Sequence, residues 1–387
     1  MLQLSEQQFQ REYFDWSREE FANRFVEKVT AGRLKLNDTF VDLKLDKTKS
    51  LGQKLERVCK EITNLPNVAK MNPEVGKRSL SSYYKFLHDF ILSNRSRDFL
   101  YWWMHARRGF QTPLFGSADI INTCNLKCKH CYWGTTREPT SEELTPEQWR
   151  IVIHNSFRKL KISHVTVVGG EPILRKDVIQ VFSEEMKNRI SVVTNGTFPL
   201  IPIHGVYFVS IDGTEEIHNQ IRGPKTYARI KENVKEYVDA GGRVNINMTL
   251  NTLNYTTVMD VIHEWDEIAE RISIQFHTPF VDNDPLWLPF GEERNKTINS
   301  ILEYSSNENK RFVINSKEQL ELLRGNWGYK CPNWMILALD YTGNIKTPCC
   351  MGSANEDTLQ PQCDKCGLTP YSGILAGLYP KEKTLMM

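Results

Sequence analysis

The chain has 387 residues, 40% apolar and 25% charged, with a formal net charge of +2. That length supports one large or two to three ordinary domains with a sizeable core. The near-neutral balance excludes a strong field for nucleic acid, and no apolar run reaches the ~20 residues that cross a bilayer. The first residues lack the apolar core of a signal peptide, so a cytoplasmic, reducing setting is expected.

Residues 1–112 read as a helical N-terminal region. Ser17-Arg18-Glu19-Glu20 has capping-box form, and Phe21, Phe25, Val26 and Val29 follow at helical spacing. A second amphipathic helix is expected over 51–62, a connector with Pro66 and Pro73 over 64–73, and one long helix or two in series over 80–108. Arg95, Arg97, Arg107 and Arg108 flank an aromatic run with Phe99, Tyr101, Trp102 and Trp103. Such a helix can pack on a neighbouring domain with its arginines wet, or lie at a lipid surface. Packing is the expectation, with contact at the cytoplasmic face of a membrane as the alternative.

From 113 to 324 strands and helices alternate. An apolar run over 118–121 reads as a strand. Thr145-Pro146-Glu147-Gln148 then offers an N-cap, a proline at the first helical position and Gln at N3. Trp149, Val152, Ile153 and Leu160 form the buried face of that helix. Strands are expected over 165–168, 190–193, 205–211, 244–250 and 272–276, with helices over 177–187, 228–240 and 258–269. Six strands in βα repeats, closed by right-handed crossovers, give a partial barrel rather than a full eightfold one. The loops at the C-terminal strand ends of such barrels carry the chemistry.

The first of those loops is Thr123-Cys124-Asn125-Leu126-Lys127-Cys128-Lys129-His130-Cys131-Tyr132. Thiolates are soft ligands that select iron–sulfur clusters, zinc or Cu(I). Three cysteines leave one position of a four-ligand site open. His130 is too close in sequence to Cys128 and Cys131 to complete a zinc site with them. An odd cysteine count in a long chain argues against a disulfide framework.

The spacing Cys-x-x-x-Cys-x-x-Cys resembles the signature of the radical S-adenosylmethionine (radical SAM) enzymes. Val167-Val168-Gly169-Gly170-Glu171-Pro172 resembles their second signature. His130 stands where the family usually has an aromatic residue. The resemblance implies an α/β fold with a (β/α)6 partial barrel. It also implies a 4Fe–4S cluster on Cys124, Cys128 and Cys131 whose open iron chelates S-adenosylmethionine. Tyr132, Gly169, Gly170 and Glu171 then become candidate cofactor contacts, as does Asn195 in Thr194-Asn195-Gly196-Thr197. Ser210-Ile211-Asp212-Gly213 with His218-Asn219-Gln220-Ile221-Arg222-Gly223 resembles a further family segment. It makes Ser210 and Asp212 cofactor-site candidates and Arg222 a partner for the cofactor carboxylate, which a guanidinium matches in bidentate fashion. Asp212 before Gly213 is also a plain turn former. Asn247 and His277 are candidate substrate contacts.

The tail, 325–387, holds five of the nine cysteines: Cys331, Cys349, Cys350, Cys363 and Cys366. Cys331, Gly343 and Cys349 resemble the start of the SPASM extension of radical SAM enzymes, and the short remainder resembles its "twitch" form. That implies an auxiliary 4Fe–4S cluster on Cys331, Cys349, Cys363 and Cys366, with Cys350 able to replace Cys349. Sulfur ligands alone would equally suit a zinc ribbon. Cys59 lies outside both groups and reads as a structural thiol. Residues 332–334 and 341–344 read as a strand and a hairpin turn, and Tyr371 and Tyr379 are expected to pack on the barrel.

The resemblance implies one-electron cleavage of S-adenosylmethionine to a 5′-deoxyadenosyl radical, with ferredoxin or flavodoxin as electron donor. It implies a peptide or protein substrate. No winged-helix peptide-recognition element is evident near the N-terminus. A lipid or isoprenoid substrate, suggested by likeness to adenosylhopane synthase, and a non-catalytic iron–sulfur or zinc scaffold are the other readings.

Overall fold

The computed structural model describes residues 34–36, 39–41, 113, 115–131, 142–160, 162–306, 312–328, 331, 333–352 and 360–378. Cys59, Tyr132, Tyr379, the expected N-terminal helices and the aromatic run lie outside the described residues. The chain divides into two compact units. In the unit formed by 1–109 and 377–387, a short antiparallel hairpin pairs Leu34–Leu36 with Thr39–Val41.

The unit of 110–376 is built on a parallel sheet. Its strands are β1 (Phe115–Asp119), β2 (His164–Val168), β3 (Ile190–Thr194), β4 (Gly205–Ser210), β5 (Val244–Leu250), β6 (Arg271–Phe276) and β7 (Ile336–Leu339). The sheet order is β6-β5-β4-β3-β2-β1-β7, every ladder parallel. This is the α/β partial barrel expected, with one strand more than the six anticipated. The tail supplies β7, at 336–339 rather than 332–334; Asn333–Met335 forms a 3₁₀ turn instead. Asp340 takes the turn after β7, accepting from the backbone N–H groups of Thr342 and Asn344 at 2.9 Å each.

The helices are α1 (Pro146–Val152, continued by a π-helical turn Ile153–Arg158), α2 (Lys176–Met186), α3 (Glu215–Arg222), α4 (Thr226–Asp239), α5 (Val258–Trp265), α6 (Glu292–Ser306), α7 (Lys317–Leu322) and α8 (Thr369–Leu378). The Thr145 capping box forms as its residues predict: the hydroxyl accepts from Gln148 N–H, and the Gln148 side chain accepts from Thr145 N–H. The apolar faces of the helices fill the outer layer. Trp149 meets Phe182 at 5.3 Å between ring centroids, and the Trp265 indole N–H donates to the Tyr227 hydroxyl at 3.0 Å. Each such buried large side chain contributes about 1.5–3 kcal/mol by its removal from water.

The tail touches both edges of the open sheet. β7 pairs with β1 at one edge. At the other, Phe276 N–H donates to Gly367 C=O at 3.0 Å, and Gln362 N–H donates to Pro279 C=O at 2.9 Å. Gly367 permits this approach, since a Cβ there would lie 2.2 Å from the Phe276 carbonyl oxygen. Gln319 of α7 donates to Thr369 C=O at 2.8 Å and holds the start of α8.

Candidate active site

The cysteine loop leaves the C-terminal end of β1 and is seated on the turn after β2. Gly170 N–H donates to Ile121 C=O and Glu171 N–H to Thr123 C=O, both at 2.9 Å. A Cβ on Gly170 would lie 1.9 Å from the Thr123 oxygen, and Gly169 has φ +133°. The Gly-Gly pair brings the turn after β2 onto the backbone of the cysteine loop, at a distance only glycine allows.

Glu171 is buried and staples three segments. Its carboxylate accepts from Ile173 N–H at 3.0 Å, from the Thr194 hydroxyl at 2.6 Å and from Asn195 N–H at 2.8 Å. Burial raises its pKa, and these hydrogen bonds oppose the rise. The Asn195 side-chain amide donates to Asn125 Oδ1 at 2.8 Å, tying the end of β3 to the cysteine loop. Asn125 in turn donates to the Thr197 hydroxyl at 2.9 Å.

Asp212, just beyond β4, is a hub with no exposed surface. Its Oδ2 pairs with Arg222 Nε at 2.5 Å and lies 3.4 Å from His130 Nε2. Its Oδ1 accepts from Thr249 N–H at 3.1 Å, and its own N–H donates to His218 Nδ1 at 3.2 Å. Burial favours the neutral acid, but Arg222 together with His130 and His218 overcomes this and holds the Asp212 carboxyl below its ordinary range. His218 is pushed down to about 3 by burial and by Arg222, so Nδ1 is free to accept. His130 is pushed down to about 4, chiefly by burial.

Arg222 thus reaches the cysteines already oriented. Its Nη1 lies 4.0 Å from Cys128 Sγ. Burial pushes the Cys128 thiol up to about 11; Arg222 opposes this, while Cys131, Asp212 and Cys124 add to it. Cys124, Cys128 and Cys131 are therefore close enough for charge on one to raise the cost of charge on another. The loop is pinned from the far side by Lys129 N–H, which donates to Ile221 C=O of α3 at 3.0 Å. Among the described residues no three His, Cys, Asp or Glu side chains are arranged to hold a single metal ion.

The barrel interior carries a polar rung. Ser210, Asn247 and Ser273 are register partners across β4, β5 and β6. His277 follows β6, its Nε2 is hydrogen-bonded to Asp284 Oδ2 at 2.8 Å, and its ring stands edge-on to His130 at 6.5 Å between centroids. So Ser210, Asp212 and His277 lie at or just beyond strand ends, Asn247 stands within β5 beside Ser210, and Arg222 reaches Asp212 from the end of α3. Asn125, Thr194 and His218 complete the arrangement and were not singled out beforehand. Their signal was present only as membership of the motifs already quoted.

Residues 119–265 match the family model described as the Radical SAM superfamily. That stretch of the chain is a radical SAM domain. It is 29% identical over 163 residues to the sporulation killing factor maturation protein SkfB of Bacillus subtilis, a match covering 39% of each chain. It is 23% identical over 271 residues to a probable GTP 3′,8-cyclase of Methanocaldococcus jannaschii, covering 65% of this chain and 90% of that one. The chain thus spans well under half of SkfB's length and most of the cyclase's. The crystal structure of Streptococcus suis SuiB bound to precursor peptide SuiA shares the fold, with TM-score 0.55 and 13% identity over 95% of this chain and 79% of SuiB.

The tail gathers four of its cysteines. Cys331 is pushed up to about 12 by burial and by negative charge on Cys366, Cys349 and Cys363. Cys366 is pushed up to about 12 by burial, with Cys349 and Cys363 adding. Cys350 is hydrogen-bonded to Cys349, which together with burial raises its pKa, and its backbone N–H donates to Tyr371 Oη at 2.9 Å. Gly328 lets the two halves meet, since a Cβ there would lie 1.8 Å from the Cys363 carbonyl oxygen. No helix of the described residues is long and apolar enough to cross a membrane.

Proposed function

We propose that this protein is a radical SAM enzyme that modifies a peptide or protein side chain. The observation that carries the reading is the gathering of half-buried Cys124, Cys128 and Cys131 as one mutually interacting thiol set beside Arg222. Three clustered thiolates repel one another, and a cationic iron–sulfur group bound by them relieves that repulsion. The donor set therefore fits a 4Fe–4S cluster. When bound, that cluster would supply the electron that cleaves S-adenosylmethionine to a 5′-deoxyadenosyl radical.

The chain's own part is positioning and exclusion of water. Gly169 and Gly170 seat the cysteine loop, and Glu171 and Asn195 fix the neighbouring strand ends against it. Asp212 aims Arg222, which balances thiolate charge and offers donors to a cofactor carboxylate. Ser210 joins Asp212 at the cofactor side, and Asn247 and His277 face the substrate. Cys331, Cys349, Cys363 and Cys366 form a four-thiolate set suited to an auxiliary cluster. Cys331, Cys363 and Cys366 each meet charge on Cys349, which supports Cys349 as the fourth ligand, with Cys350 hydrogen-bonded beside it. A reduced ferredoxin or flavodoxin would serve as electron donor.

The peptide reading is supported by SuiB, whose fold was solved with a precursor peptide bound, and by the maturation protein SkfB. The membrane alternative rests on the aromatic run at 99–104, outside the described residues; the lipid alternative rests also on the likeness of the 210–223 segment to adenosylhopane synthase. The test is anaerobic reconstitution with iron and sulfide, then dithionite and S-adenosylmethionine, with 5′-deoxyadenosine followed by mass spectrometry and a peptide extract added in a second arm. Formation of 5′-deoxyadenosine with a peptide mass change supports both parts. Cofactor cleavage that responds to a lipid extract but not to peptides overturns the substrate. No cleavage in any arm, with iron and sulfide incorporated, overturns the chemistry.

A further inference from the structure

Arg294 belongs to none of the arrangements above. It is fully buried, in the first turn of α6. Its guanidinium carbon stands 4.2 Å from the ring centroid of Phe276 and 4.7 Å from that of Phe290. Nη1 donates to Leu323 C=O at 3.2 Å. Nε and Nη2 are buried and have no hydrogen-bond partner. Burial lowers its pKa to about 10, and no acidic group contributes to the shift.

The neighbouring acids do not serve it. Glu292 and Glu293 are 78% and 53% exposed at their side chains and pair with Lys296. The position itself is unfavourable for a cation, because the first turn of a helix carries partial positive charge. Burial of an unpaired charge is costly, and burial of an unmatched donor costs again. Two independent observations, an uncompensated buried charge and an orphaned pair of donors, point to the same missing group.

The geometry says what that group is. Nε and Nη2 form the side-on edge of the guanidinium, which takes two oxygens of one carboxylate. Arg243 uses the same edge on Glu270, with Nε and Nη2 each at 2.9 Å. The two aromatic rings fix the plane of Arg294 and leave the edge directed. Nearby, the Trp287 indole N–H is a second buried donor without a partner, and its ring meets Phe290 at 5.5 Å. Ile272, Ile274 and Phe276 alternate along β6 with Ser273, Gln275 and His277, so Arg294 lies behind the sheet and not in the barrel interior.

We propose that the Nε–Nη2 edge of Arg294 is a carboxylate-binding site between β6 and α6, entered by local opening of residues 278–291. A carboxylate there joins the first turn of α6 to the end of β6 and to the loop carrying Asp284, the partner of His277. The ligand is a small free carboxylate or an acidic side chain of a peptide.

The experiment is thermal unfolding of the whole protein against sodium formate, with sodium chloride at equal ionic strength as control. Gly-Glu-Gly-amide and Gly-Gln-Gly-amide form a second pair. Arg294→Met and Arg294→Lys are run beside the parent chain. A melting temperature that rises with formate beyond chloride, loses its rise in Arg294→Met and keeps a weaker one in Arg294→Lys supports a site for free carboxylates. A rise with the Glu peptide and none with the Gln peptide, lost in Arg294→Met, supports a peptide source. Without carboxylate, Arg294→Met is expected to match or exceed the parent, because it removes an uncompensated charge. Equal responses of parent and Arg294→Met, or no response of the parent to formate and to the Glu peptide, overturn the proposal.

Discussion

The Lys346 ammonium is seated on the Asp119 carboxylate, the two side chains 1% and 0% exposed. Lys346 also donates to Cys350 C=O. One buried ion pair therefore joins the residue that ends β1, just before the cysteine loop, to the tail segment carrying Cys349. Breaking such a pair from one side leaves the other charge stranded. Lys346→Met is expected to lower unfolding stability by about 3–5 kcal/mol, read by denaturant titration. Lys346→Met with Asp119→Leu should recover most of that loss. A single variant as stable as the parent would remove this pair from the account of how tail and barrel are joined.

Gly170→Ala tests the seat of the cysteine loop. The added Cβ would lie 1.9 Å from the Thr123 carbonyl oxygen, which is backbone and cannot rotate away. The loop must shift, at an expected cost near the upper end for single substitutions, about 3 kcal/mol. The same variant should incorporate less iron at the triad on reconstitution. Parent-like stability together with full iron content would show that the loop has slack there.

Local patterns were legible in the sequence and distant pairings were not. Thr145 and Gln148 announce their capping box because the partners are three residues apart. The apolar β-branched run of β2 announces a buried parallel strand. The motif glycines were legible as close-approach positions, but not that the approach is to Ile121 and Thr123. Lys346 gave no sign of Asp119, 227 residues away. β7 was displaced by a few residues because its four residues take their strand geometry from pairing with β1, which no local pattern records. His218 lay within a quoted motif, yet its role as acceptor from Asp212 N–H depends on the turn after β4.

Glu171→Gln probes the staple between β2 and β3. Gln keeps the shape but cannot accept with both terminal atoms, so the contact from Asn195 N–H or those from Thr194 and Ile173 must be lost. An unmatched buried donor costs about 1–3 kcal/mol. The expected outcome is destabilisation in that range, measured by denaturant titration. It should be accompanied by weaker S-adenosylmethionine binding to the reconstituted protein. A variant with unchanged stability would mean that the carboxylate is not the staple its contacts describe.

The two sulfur sets make separable predictions. Cys128→Ala is expected to abolish S-adenosylmethionine cleavage while one cluster's iron remains, because only the triad loses a ligand. Cys363→Ala and Cys349→Ala should each lower iron and sulfide by one cluster's worth. Cys350→Ala should not, since Cys331, Cys363 and Cys366 each meet charge on Cys349. Iron lost in Cys350→Ala but retained in Cys349→Ala would reverse the ligand assignment. Zinc lost in Cys363→Ala with iron unchanged would make the tail a zinc ribbon.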